Sequence, residues 1–108
     1  MASGILGSSD LSANTNTTIY TVPADTYSVI TVNFCNRGSN TANIRLSTST
    51  GDTPGAAEYL EYDVSVGPNG VLDRTGIVLD ATKKVVVRSS QASVTSMVMG
   101  IETAVPAA

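Results

Sequence analysis

The chain has 108 residues and a formal net charge of −3, with six basic residues and no histidine. This length suits one compact domain and is short for two. Six scattered basic side chains are too few to neutralise a run of phosphates, so we expect neither nucleic acid nor a membrane as a partner. The single Cys35 excludes an internal disulfide, so the core or partner subunits must hold so small a domain together.

The sequence shows neither a targeting signal nor a membrane-spanning segment. The N-terminal region has no basic segment followed by an apolar one, and no run approaches the roughly 20 apolar residues that cross a bilayer. We therefore expect synthesis as a soluble chain in the cytoplasm.

Residues 1–16 are mostly Gly, Ser, Asn and Thr, with Ile5, Leu6 and Leu11 as isolated apolar residues. Such a composition does not fold alone, and a plain disordered terminus is one interpretation. The alternative is an extended N-terminal arm whose apolar side chains are buried in a groove or along a sheet edge of a neighbouring subunit. On this interpretation Ile5, Leu6 and Leu11 are the predicted partner-binding residues.

Seven strand-like runs follow this arm and are separated by turn signals. They lie near residues 17–22, 27–35, 42–49, 58–66, 71–79, 84–89 and 93–101. The runs are rich in β-branched residues, and no window shows helical apolar spacing. The pattern predicts an all-β fold: a single β-sandwich, immunoglobulin-like or jelly-roll-like, of about seven to eight strands over residues 17–102. Residues 103–108 are predicted to form a C-terminal tail.

Two of the turns predict tight hairpins. Between the second and third runs, Gly38 is expected to supply a positive φ, and Asn36 or Asn40 is expected to bond its own backbone nearby. Between the fourth and fifth runs, Gly67-Pro68-Asn69-Gly70 is a strong turn signal, because proline sets φ and Asn-Gly tolerates the left-handed region.

The absence of histidine removes Ser-His-Asp and Cys-His nucleophiles and every His-containing zinc site. Glu61 and Asp63 remain as a possible carboxylate pair, but strand alternation places them with Tyr59 on a solvated face without a cleft. A calcium site in the loop from Asp52 to Gly55 is a further alternative. We predict that the protein is not an enzyme and that it uses no cofactor and no metal.

Other conspicuous residues have structural interpretations. Met97 and Met99 alternate on one strand face, which favours core packing, and Cys35 is expected to be a small buried thiol. The pair Lys83-Lys84 indicates a charged guard against edge-to-edge aggregation or an ion pair across a subunit interface. With no Trp and one Phe, the chain offers no obvious aromatic platform on which a sugar could stack.

Five segments across almost the whole chain also carry a family resemblance. They are residues 19–24 (IYTVPA), 32–38 (VNFCNRG), 61–64 (EYDV), 75–79 (TGIVL) and 85–90 (VVVRSS). Together with the opening Gly4-Ile5-Leu6-Gly7, they resemble small virion structural proteins of tailed bacteriophages, of the capsid decoration (cement) type.

The resemblance implies a non-enzymatic protein of the virion that binds the outer face of a phage head and stabilises it. The implied partner is the major capsid protein, or a tail protein, and the implied assembly is a homo-oligomer, with a trimer favoured. Synthesis would take place in the host bacterial cytoplasm. The alternatives are a tail, baseplate or fibre component and a carbohydrate-binding adhesion module.

Overall fold

The computed structural model describes residues 3–105, which form an all-β structure. Its eight strands are β1 Ser3–Leu11, β2 Thr17–Thr21, β3 Thr26–Asn36, β4 Ala42–Ser49, β5 Tyr59–Val66, β6 Val71–Leu79, β7 Lys84–Ser89 and β8 Val94–Ala104. A 3-10 turn at Ala56–Glu58 precedes β5. Strands β2 to β8 fall on the seven predicted runs, so the all-β prediction is confirmed. Strand β1 falls on the predicted arm.

The strands form two four-stranded antiparallel sheets. Sheet A has the order β1-β8-β3-β6, and sheet B has the order β2-β7-β4-β5. The first strand pairs with the last, β2 with β7, β3 with β6 and β4 with β5. This is the pairing of one long hairpin whose tip is the loop between β4 and β5. All the remaining connections between successive strands cross from one sheet to the other.

The core is built from alternate residues of both sheets, as expected when one face of each strand is buried. Phe34 of β3 and Val98 of β8 in sheet A belong to the same apolar cluster as Ile44 of β4 and Val87 of β7 in sheet B. All four are at most 1% exposed. One face of each sheet therefore contributes to a common core.

The arm predicted over residues 1–16 is corrected over Ser3–Leu11, which form the edge strand β1. This strand pairs with β8 along its length, and its last residue, Leu11, is 2% exposed in the core. At Gly7 the strand passes so close to β2 that a Cβ atom would lie 2.0 Å from the carbonyl oxygen of Ile19. An edge strand forms from such a polar segment because it needs only ladder hydrogen bonds on one side and a few buried side chains.

The predicted boundaries at the two ends change accordingly. The C-terminal strand continues to Ala104, two residues into the predicted tail. Residues 1–2 of the predicted arm and 106–108 of the predicted tail lie outside the described residues.

Neither predicted hairpin forms. Strands β3 and β4 lie in different sheets, and so do β5 and β6. The prediction of a positive φ at Gly38 is also wrong, whereas Asn69 does adopt the left-handed region with φ of 61°. Turn residues dictate that the chain reverses direction, but they do not dictate which strands pair after the reversal.

The buried side chain of Asn36 links the turn that follows β3 to the turn that follows β5. Its side-chain amide donates hydrogen bonds to the carbonyl oxygens of Asn40, Val66 and Gly67 at 2.8, 3.0 and 3.2 Å. Its side-chain oxygen accepts from the backbone N–H of Gly38 at 3.0 Å, as predicted for a local turn bond. A single polar side chain thus satisfies carbonyl groups where the chain crosses between sheets.

Candidate interaction surface

The outward side of sheet A carries a continuous group of exposed apolar side chains. Val29 of β3 pairs with Ile101 of β8 on one side and with Val78 of β6 on the other, so the three lie in a row across the sheet. In the next row Ile5 of β1 pairs with Met99 of β8. We define the apolar face by the members of these two rows and one flanking tyrosine: Ile5, Tyr27, Val29, Val78, Met99 and Ile101.

The apolar face is exposed and uncharged. The side chains of Ile5 and Val78 are each 66% exposed, and Ile101 is 52% exposed. The residues that pair directly with members of the apolar face on adjacent strands are themselves uncharged. Contiguous exposed apolar side chains, in contrast to singly scattered ones, are typical of surfaces that bind another macromolecule.

The other end of the same sheet surface is polar. The side-chain amide of Asn33 on β3 donates a hydrogen bond to Asp73 on β6. Arg37 forms an ion pair with Asp10 of β1 at 2.5 Å. The outer side of sheet A therefore has an uncharged apolar end and an end at which charged and polar side chains accompany the exposed Val71.

The three predicted partner-binding residues do not act together. Ile5 lies on the apolar face, whereas Leu6 is half-buried against the core and Leu11 lies within the core. The expectation that all three stay exposed in the free protein is corrected, because successive residues of a strand point to opposite faces. Only Ile5 has a largely free side chain to offer a partner.

The predicted core position of Met97 and Met99 is also wrong. The core face of β8 is formed by Val94, Ser96 and Val98, and the two methionines lie half-buried on the opposite face. Cys35, expected to be buried, is half-buried and free.

The structure separates the candidate carboxylate pair. Asp63 adopts a φ of 54° at a bulge in β5, and its carboxylate accepts hydrogen bonds from Arg45 at 2.7 and 3.3 Å. This contact lowers the pKa of Asp63 below its usual value. Glu61 instead forms an ion pair with Arg74 at 2.8 Å. The expected common face with Tyr59 is corrected, because register shifts interrupt the alternation of β5.

The candidate calcium loop is occupied by contacts within the chain. Asp52 accepts a hydrogen bond from the Thr18 hydroxyl at 2.6 Å and lies 3.5 Å from the Lys84 ammonium. These two contacts lower the pKa of the Asp52 carboxyl. Lys83 pairs with Asp80 at 3.3 Å, so both lysines have partners in their own chain. Residues 3–105 contain no group of three or more His, Cys, Asp or Glu side chains placed to hold a metal ion.

Two small concave sites lie on the surface of the described residues. One cavity of about 210 Å³ lies between the turns 38–40 and 91–93. Another, of about 240 Å³, is lined by residues of β6 together with Thr48 and Leu60. Both volumes fall below the roughly 300–1,000 Å³ of ordinary small-molecule sites. The described part of the chain also contains no helix long and apolar enough to span a membrane.

An exposed apolar face beside only small cavities favours binding to another macromolecule through buried surface area. Of the surfaces described, only the outer side of sheet A combines several exposed apolar side chains in neighbouring rows. Comparisons of the chain with protein-family models, with curated proteins and with solved structures found no match.

Proposed function

We propose that this chain is a non-enzymatic virion structural protein of a tailed bacteriophage, a capsid decoration protein that docks on the outer face of the head. The observation that carries the proposal is the apolar face, because a cement protein acts by burying area rather than by chemistry. The resemblance of segments along the chain to decoration proteins supports the same assignment.

We also infer that the two sheets pack face to face as a jelly-roll β-sandwich. The pairing of β1 with β8, β2 with β7, β3 with β6 and β4 with β5 is that of a long hairpin wrapped into two sheets. Jelly rolls of eight strands are frequent in viral capsid domains and in lectins. An immunoglobulin-like sandwich places four strands opposite three, which agrees less well with the four-plus-four arrangement.

The exposure of the apolar face determines how much free energy its burial can contribute to docking. Fully burying a Val or Ile side chain contributes roughly 1.5–3 kcal/mol. Scaling this range by the exposed fractions of Ile5, Val29, Val78 and Ile101 gives about 5 kcal/mol for docking one copy. A shell repeats the same capsid junction many times, and a trimer would link three such contacts, so modest affinity per copy becomes stable occupancy through avidity.

The proposal is tested by adding purified variants to phage heads stripped of the protein and measuring occupancy. Val78→Lys places a charge in the apolar face. Val71→Lys is the matched control, since Val71 lies on the same strand and the same outer side and is 60% exposed, but pairs with Cys35 at the polar end. We expect Val71→Lys to bind heads as the wild type does and Val78→Lys to bind much more weakly.

Circular dichroism and thermal melting confirm that both variants are folded before binding is compared. Wild-type occupancy by Val78→Lys would show that the apolar face is not the docking surface. Failure of the wild-type protein itself to bind stripped heads would exclude the decoration function.

A further inference from the structure

The outer side of sheet B carries a second surface of different chemistry, centred on Arg45. The Arg45 guanidinium lies 4.2 Å from the centroid of the Tyr62 ring, and the same side chain holds Asp63 through two hydrogen bonds. The Tyr62 ring in turn meets the Tyr59 ring edge-to-face, with centroids 4.9 Å apart. Tyr62 nevertheless remains 57% exposed, so these contacts fix the ring without covering it.

The half-buried Arg88 adds a positive charge that forms no direct ion pair within residues 3–105, although it acts at longer range on Asp63 and helps to lower the pKa of that carboxyl. It lies on β7 directly opposite Arg45 on β4, a register in which like charges repel. Five of the six basic side chains form an ion pair within residues 3–105, and Arg88 is the one that does not. Since Asp63 neutralises one of the two facing arginines, the cluster retains a net positive charge in a protein that is acidic overall.

Polar groups continue the surface in the next row of the sheet. Asn43 lies two residues from Arg45 on the same face of β4, and its side-chain oxygen accepts a hydrogen bond from the Ser65 hydroxyl at 3.2 Å. The hydroxyl of Ser90 accepts from the Asn43 backbone N–H at 2.9 Å. An exposed aromatic ring thus lies on the same surface as guanidinium, hydroxyl and amide groups.

We propose that this surface binds a carboxylate-bearing sugar, such as a residue of a uronic acid chain. The Arg88 guanidinium matches a carboxylate with two parallel N–H donors, a geometry that is strong and directional. The Tyr62 ring offers an apolar surface to the C–H face of a pyranose, and Asn43 and Ser65 bond its hydroxyls.

A protein partner fits this surface less well. The centres of protein interfaces are depleted of charged residues, whereas this cluster is built around two arginines and an aspartate. The proposal goes beyond capsid decoration and does not depend on it, because the site lies on sheet B and the apolar face on sheet A. Its test therefore uses the isolated protein.

Isothermal titration calorimetry with trigalacturonic acid measures the proposed binding, with neutral maltotriose and sodium acetate as comparison ligands. We expect trigalacturonic acid to bind more tightly than either. Arg88→Ala should weaken its binding about tenfold or more, and Tyr62→Ala about threefold or more. Arg37→Ala is the matched control, because it removes an arginine whose ion pair with Asp10 lies on sheet A, and it should leave binding unchanged.

Three results would overturn the proposal. The first is no binding of trigalacturonic acid by the folded wild-type protein. The second is acetate binding as tight as that of the trisaccharide, unaffected by Tyr62→Ala, because the cluster would then recognise charge alone. The third is a change in sedimentation on Arg88→Ala with no change in sugar binding, which would assign Arg88 to a contact between protein chains.

Discussion

Truncation of an apolar side chain to alanine should affect folding at one end of β1 and docking at the other. Leu11→Ala removes a side chain that is 2% exposed and belongs to the core, whereas Ile5→Ala removes one that is 66% exposed on the apolar face. Truncating a buried leucine costs about 2–5 kcal/mol of unfolding free energy, through lost transfer energy and the cavity left behind. For a domain of this size, that corresponds to a fall in Tm on the order of 10–20 °C.

Ile5→Ala should lower the unfolding free energy by less than about 1 kcal/mol, because most of its side chain is already in water. Thermal melting and urea denaturation of both variants measure the difference. A Tm for Leu11→Ala within about 2 °C of the wild type would refute the assignment of residues 3–11 to the sheet and restore the extended arm. Ile5→Ala should instead weaken binding to heads, so the pair separates folding from docking.

Two further substitutions test the fold, and one measurement tests self-association. Tyr20→Phe removes a hydroxyl that contacts Ser28 at 2.7 Å and Glu102 at 2.5 Å. Burial and the acceptor Glu102 raise the pKa of Tyr20 to about 12. The stabilisation of the wild type by this group should therefore be intact below about pH 10 and fall between about pH 10 and 12 in urea titrations. The variant should not show this fall in unfolding free energy. Gly7→Ala should destabilise the fold by at least about 1–3 kcal/mol by forcing β1 away from β2, while Gly51→Ala, with open space around its Cα, should leave the Tm unchanged. Sedimentation should find a homo-oligomer at micromolar concentration, and a stable monomer across that range would contradict the expected self-association.

The positions of seven of the eight strands were predictable from the sequence, but strand β1 and the pairing of the strands were not. In β3 the buried Ser28, Ile30, Val32 and Phe34 alternate with outward residues, and this period of two is visible in the chain itself. The connections at 36–40 and 67–70 have strong turn residues, yet each carries the chain to the other sheet. Pairing depends on contacts between residues far apart in sequence, which local turn chemistry does not encode.

The apolar face is visible in the sequence as adjacent apolar residues, but period-two alternation alone does not show which of them is exposed. Val29 and Ile30 are adjacent apolar residues in β3, and so are Val78 and Leu79 in β6, so both faces of these strands are apolar there. Which face is covered depends on the position of the second sheet. The proposed sugar site was even less accessible to sequence reasoning, because the bulge at Asp63 and the register between Arg45 and Arg88 are properties of the assembled sheet.

Immunogold electron microscopy of purified virions tests the central claim most directly. An antibody against this protein should label the heads of the particles, at many copies per head and without label on the tails. Label confined to tails, baseplates or fibres, or no label on any virion, would contradict the proposal that the protein decorates the capsid.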